Sequence, residues 1–124
     1  YFSRTDMKPF LAERGIAVQS WYPLGGRGNT VILDEPVIAE LAAKYGKTPA
    51  QIIMRWQVQE GNVVIPGSKT PAHIAENIDV FDFELTDAEM AQVSALDKGK
   101  PFYVHTDEAL VGFAAWHPDV EGQK

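Results

Sequence analysis

The stretch Val63-Val64-Ile65-Pro66-Gly67-Ser68-Lys69-Thr70-Pro71-Ala72-His73-Ile74-Ala75-Glu76-Asn77 decides how this chain is read. Val63, Val64 and Ile65 form a run of β-preferring apolar residues, which suits a strand buried on both faces of a parallel sheet. Pro66 has no N–H for a ladder, so the strand should stop there. Gly67, Ser68 and Lys69 make a polar, positively charged turn. Thr70 is a suitable N-cap, and Pro71 at the first helical position gives up a donor that no helical carbonyl would receive. The order is strand, polar turn, helix N-terminus. Backbone amides and the helix dipole favour an anion at such a place, and Lys69 and a protonated His73 would add charge. An ordinary βα connection with a capped helix accounts for the same residues. A P-loop does not, because it needs Lys directly after Gly and here Ser68 separates Gly67 from Lys69.

Outward from this stretch, composition sets the bounds. The 124 residues suffice for one modest domain, and 45% hydrophobic with 23% charged residues is a globular balance, not a disordered one. A net charge of -6 with no basic cluster argues against nucleic acid or an anionic membrane as partner. The absence of cysteine excludes disulfides and thiolate metal sites and fits a reducing compartment, so a cytoplasmic location is expected. No metal-ligand pattern is recognised. No apolar run approaches a membrane span, and the N-terminus is not a signal peptide. The opening Tyr1-Phe2-Ser3-Arg4, without Met, reads as the middle of a longer sequence.

Upstream, Thr5 or Asp6 can cap a short helix to about Arg14, with Met7, Phe10 and Leu11 on its apolar face and Gly15 as its stop. Residues 16–21 read as a second buried strand. The following Tyr22-Pro23-Leu24-Gly25-Gly26-Arg27-Gly28-Asn29 is a loop whose glycines allow close approach to a ligand, although a plain connector fits it too. It lacks the spacing of the dinucleotide fingerprint. An amphipathic helix is expected over 36–45, closed by Gly46. Thr48-Pro49-Ala50-Gln51 is a capping box that opens a helix to about Gln59, with Ile52, Ile53 and Trp56 inward and Gln59 inward or flanking. Trp56 is expected in the core. Downstream, 80–83 is a short apolar link. Thr86-Asp87-Ala88-Glu89 is a second capping box, opening a helix to about Leu96 with Met90, Val93 and Leu96 as its stripe. Residues 102–124 are an aromatic-rich tail with one more turn beginning near Thr106. The count is two strands and about five helices, in the order α-β-αα-β-α-α. Two such strands need neighbours on both sides, which this chain does not offer.

Three blocks carry a resemblance. Gly15-Ile16-Ala17-Val18-Gln19-Ser20-Trp21-Tyr22-Pro23-Leu24-Gly25 resembles the segment around the seventh barrel strand of aldo-keto reductases. Thr48-Pro49-Ala50-Gln51-Ile52-Ile53-Met54-Arg55-Trp56 is similar to the family's next helix. Residues 64–71, with Ile74, Glu76, Asn77 and 81–86, resemble the eighth strand, cofactor turn and following segment. Order and separation agree over residues about 15 to 97, nearest the bacterial branch with diketogluconate-type reductases. The resemblance implies the C-terminal part of a (β/α)8 barrel: its last two strands with their helices (1–101) and a substrate-loop tail (102–124), a single incomplete domain.

It also implies NADPH-dependent reduction of small aldehydes or ketones, with NADH as a further possible cofactor. The family's catalytic Asp, Tyr, Lys and His belong to segments ahead of Tyr1, so no residue here is assigned a catalytic role. Tyr22, Tyr45 and Tyr103 do not match the catalytic tyrosine, and the isolated chain is expected to be inactive. Trp21 matches the aromatic ring laid against the nicotinamide. Tyr22 and Leu24 match the pyrophosphate lining, with Gly25 and Arg27 in the loop that folds over it. Pro66, Gly67, Ser68, Lys69 and Thr70 match the adenosine 2′-phosphate turn, His73 stands beside it, and Glu76 and Asn77 match residues at the adenine edge. Phe113 and Trp116, with Phe102, Tyr103 and His117, are candidate substrate-pocket residues, or packing on the barrel rim. The family often has Lys at Gly67 and Arg at His73; a neutral His is a weaker phosphate partner than a guanidinium. Discrimination for NADPH is therefore expected below the family norm. The alternative is a non-catalytic nucleotide-binding or interaction fragment, and open strand edges would lead a fragment to self-associate.

Overall fold

The computed structural model describes residues 2–25, 31–101 and 106–117. Helix α1 (Lys8–Ala12) is short. Gly15, at φ +64°, closes it: its amide bonds Ala12 O at 3.0 Å and that of Ile16 bonds Leu11 O at 3.0 Å, the paired bonds of a Schellman stop. Strand β1 (Gln19–Ser20) follows. A single 3-10 turn, Val31–Asp34, leads into α2 (Pro36–Tyr45). Gly46, left-handed at φ 63°, stops α2. Helix α3 (Pro49–Gln59) opens with the complete capping box of Thr48 and Gln51. Strand β2 (Val63–Val64), α4 (Pro71–Ile78), α5 (Asp87–Ser94, with its own capping box of Thr86 and Glu89) and α6 (Asp107–Ala114) complete the order. Both capping boxes satisfy helix-end amides as their spacing predicts.

The core lies among α2, α3 and α5. Ile38, Leu41 and Ala42 from α2 meet Ile52, Ile53 and Trp56 from α3, with Leu85 and Val93 closing the cluster. Ile38 and Ile52 are wholly buried, and full burial of a side chain of this size is worth about 1.5–3 kcal/mol. Trp56 is core, as its spacing predicts, and its indole N–H reaches Ser94 Oγ at 3.1 Å. Val93 is buried, while Met90 and Leu96 pack at the margin. Tyr45 stacks at a tilt on Phe83, centroids 5.2 Å apart, and its hydroxyl donates to Glu89.

β1 and β2 pair in parallel, Gln19 opposite Val63 and Ser20 opposite Val64. Among the described residues this pair is the whole sheet, and here one expectation fails. The two strands were to be buried on both faces, yet Ile16, Val63 and Ile65 are 50%, 46% and 62% exposed. Each strand has one neighbour, so apolar faces made for a wider sheet stay open. The pairing is also shorter than the apolar runs that suggest it. A second correction concerns Thr70, which has the extended backbone of an N-cap but whose side chain caps nothing. Instead Ser68 Oγ accepts from the Thr70 amide at 3.1 Å.

Candidate functional site

Parallel pairing fixes where the candidate residues emerge. Both strands run the same way and in register, so the segments after Ser20 and Val64 leave one end of the sheet side by side, strands about 4.8 Å apart. Trp21, Tyr22, Leu24 and Gly25 follow β1; Pro66, Gly67, Ser68, Lys69 and Thr70 follow β2. The carboxyl end of parallel strands is where α/β folds place their ligands.

On the β1 side the backbone is unusual. Tyr22 has φ +50°, a left-handed conformation uncommon outside glycine. Its carbonyl accepts from the Gly25 amide at 3.0 Å, closing a tight turn, and Gly25 itself has φ 101°. The turn sets the Trp21 and Tyr22 rings against each other, centroids 4.8 Å apart, with Trp21 still 65% exposed. A cavity of about 400 Å³ opens beside them, bounded by Trp21, Tyr22, Gly25 and Ser20 with Trp56 and Gln57 of α3. Ser20 Oγ donates to Gln57 Oε1 at 2.7 Å, tying β1 to α3. Arg27 lies outside the described residues, as do Phe102 and Tyr103.

On the β2 side Gly67, Lys69, Thr70 and His73 are exposed, while Pro66 and Ser68 are half-buried. A Cβ built on Gly67 would meet nothing within 4 Å, so the turn is open above its backbone. Glu76 and Asn77 sit half-buried in the last turn of α4, and the Glu76 carbonyl accepts from Gln51 Nε2 at 3.2 Å. The cavity beside Trp21 does not extend to residues 66–77. The structure therefore brings the two groups to one end of the sheet but not into one enclosed pocket.

Phe113 of α6 and Trp116 just beyond its C-terminus come together, and with Ala109 and Gly112 they line a wide, shallow recess of about 440 Å³. The two rings are 64% and 68% exposed. This recess and the cavity beside Trp21 have no lining residue in common.

Sequence reasoning missed two polar features. Glu89, buried in the second capping box, receives Lys44 Nζ at 2.6 Å, the Tyr45 hydroxyl at 2.7 Å and the Thr86 amide at 2.8 Å. Lys44 above all, then the Thr86 amide and Tyr45, holds its carboxyl down at about 2 against the upward push of burial. The second feature is a row of side chains four residues apart. Lys47, Gln51, Arg55 and Gln59 together hold the main chain from Glu76 to Leu85. The spacing was visible, but polar residues at helical spacing read equally well as a solvated face. Asp79 is held below the usual carboxylate range by Lys47 first and Gln51 last. Lys47 is raised by Asp82 and then Asp79.

The family model described as Aldo/keto reductase family matches residues 3–98. The chain belongs to that family. Methylglyoxal reductase DkgA of Escherichia coli K12 is 52% identical over 91 residues, 72% of this chain and 32% of that protein. An aldo-keto reductase of Mycolicibacterium smegmatis is 45% identical over 95 residues, 77% of this chain and 34% of its own length. Among solved structures, an aldo-keto reductase from a Medee basin deep-sea metagenome superposes with TM-score 0.80 at 30% identity, over 86% of this chain and 39% of that one. A mutant of Gox0644, solved in complex with NADPH, gives TM-score 0.71 at 38% identity over 78% of this chain and 35% of that one. The chain thus spans about a third of the length of the curated relatives it matches. The metagenome neighbour is an aldo-keto reductase, and no described helix is long and apolar enough to cross a membrane.

Proposed function

We propose that this chain is the C-terminal third of a cytoplasmic NADPH-dependent reductase of small aldehydes and ketones, and that it supplies the cofactor's cradle. The observation that carries the reading is the parallel register that delivers exposed Trp21 and the 66–70 turn to the same sheet end. The residues fit such a ligand. Open space above Gly67, the exposed Lys69 and a first turn of α4 that Thr70 leaves uncapped suit a phosphate. Bound there, the dinucleotide supplies a hydride. Trp21 then offers an exposed ring face to orient the nicotinamide. Tyr22 and Leu24 line the pyrophosphate, and the loop from Gly25 that carries Arg27 is its charge partner. Pro66 to Thr70 and His73 hold the 2′-phosphate, and Glu76 and Asn77 brace the adenine end. Phe113 and Trp116 give an apolar wall to the substrate.

No residue of this chain is assigned to protonate the carbonyl oxygen, so the isolated 124-residue chain is inactive and associates through its open strand edges. Because Gly67 and His73 replace a frequent Lys and Arg, NADPH is preferred over NADH by less than about a thousandfold, roughly 4 kcal/mol. The test titrates the full-length reductase with both cofactors and follows NADPH oxidation with methylglyoxal and with sugar ketones. Saturable NADPH binding and carbonyl-dependent oxidation are expected. No NADPH binding sinks the proposal, and binding without turnover makes the protein a nucleotide-binding module instead.

A further inference from the structure

Helix α4 carries the proposed phosphate turn at its N-terminal end, yet none of its residues is buried. Its anchoring is polar and concentrated at the other end. Gln51, 3% exposed, donates from Nε2 to Asp79 O at 2.8 Å and to Glu76 O at 3.2 Å. Lys47, delivered by the left-handed stop at Gly46, donates to Asp79 Oδ2 at 2.9 Å and Asp82 Oδ2 at 2.7 Å. The Lys47 side chain is 11% exposed, against 57% for each carboxylate. A helix of eight residues is about 12 Å long, so a tilt of about 10° at the anchored end shifts the far turn by about 2 Å, enough to break a hydrogen bond.

We propose that Lys47 is a positioning residue for the cofactor: by clamping Asp79 and Asp82 it fixes the tilt of α4 and so aims the 67–73 turn at the 2′-phosphate. This rests on the cofactor reading above. The clamp touches no ligand and acts only through the helix. NADH, which lacks the 2′-phosphate, is the built-in control.

Lys47→Met is the first variant, since it deletes the ammonium and keeps the stem beside Phe83, whose ring centroid is 5.5 Å from Nζ. Dissociation constants for NADPH and NADH are read by fluorescence titration of the full-length reductase. The proposal expects Lys47→Met to weaken NADPH about tenfold and NADH less than about twofold, with Lys47→Arg restoring NADPH to within about threefold. Asp82→Asn, which keeps the fold's apolar contacts, is expected to weaken NADPH alone by about threefold and decides the matter if Lys47→Met does not fold. Equal weakening of both cofactors makes Lys47 merely structural and overturns the proposal, as does no change in either. A wild-type protein that fails to bind NADPH overturns the cofactor reading itself; wild-type binding with unchanged variants overturns only the clamp.

Discussion

The two sides of α3 are built differently. Toward α2 and α5, Ile52, Ile53 and Trp56 are buried in a closed cluster, with Ile53 and Trp56 also reaching the border of the cavity beside Trp21. On the other side, Val63 of β2 and the residues that follow the two strands, Ile65 and Trp21, lie open. One side is complete within the described residues and the other is a surface with apolar residues on view. The difference separates where stability resides from where the proposed ligand site lies open. The closed side holds the free energy, and the open end of the sheet offers groups that a neighbour or ligand would cover.

The contrast breaks most easily at the core. Ile52→Ala should cost about 2–5 kcal/mol in urea unfolding, and Ile65→Ala, on the open face, less than about 1 kcal/mol. Similar costs would erase the distinction. Next comes acid. Glu89 titrates at about 2 when folded against an ordinary 4.5. A carboxyl lowered on folding stabilises the fold above its unfolded value, and that contribution drains as pH falls through the folded one. With solvent screening of the half-exposed Lys44, the loss is on the order of 2 kcal/mol between about pH 4.5 and 2. Glu89→Gln should flatten this limb of the pH profile. A variant that retains the wild-type slope would remove Glu89 from the account.

Smaller effects sharpen the comparison. Thr48→Ala breaks a complete capping box and should cost about 1 kcal/mol, while Thr70→Ala should be near neutral because its hydroxyl caps no amide. An equal cost at both positions would mean that Thr70 caps α4 in solution. The smallest expected change is Gly67→Lys. Open space receives the side chain, unfolding is unaltered, and NADPH tightens about threefold over NADH, within the ~0.2–1 kcal/mol of an exposed charge pair.

Much of the fold was legible because its signals are local. Thr48-Pro49-Ala50-Gln51 and Thr86-Asp87-Ala88-Glu89 formed their reciprocal bonds, and Gly15 and Gly46 stopped their helices. The strands were legible in place but not in burial, since an apolar run shows what a strand needs and not what its surroundings supply. Thr70 misled for a related reason: Ser68 competes for the amide, and Thr70 Oγ1 reaches no donor in the first turn of α4. At the candidate site, residue types and their order carried the reading of Trp21 and the 66–70 turn. The left-handed Tyr22 had no signal in its own side chain. The hold of Lys47, Gln51, Arg55 and Gln59 on residues 76–85 joins segments far apart in sequence, and spacing alone could not show which main chain they would grip.

In the proposed complex one cofactor spans the end of β1 and the turn after β2. A crystal structure of the full-length protein with NADPH decides it. The nicotinamide ring is expected against Trp21 and the 2′-phosphate within hydrogen-bond distance of Ser68, Lys69 or Thr70. An ordered cofactor that touches neither Trp21 nor the 66–70 turn would contradict it.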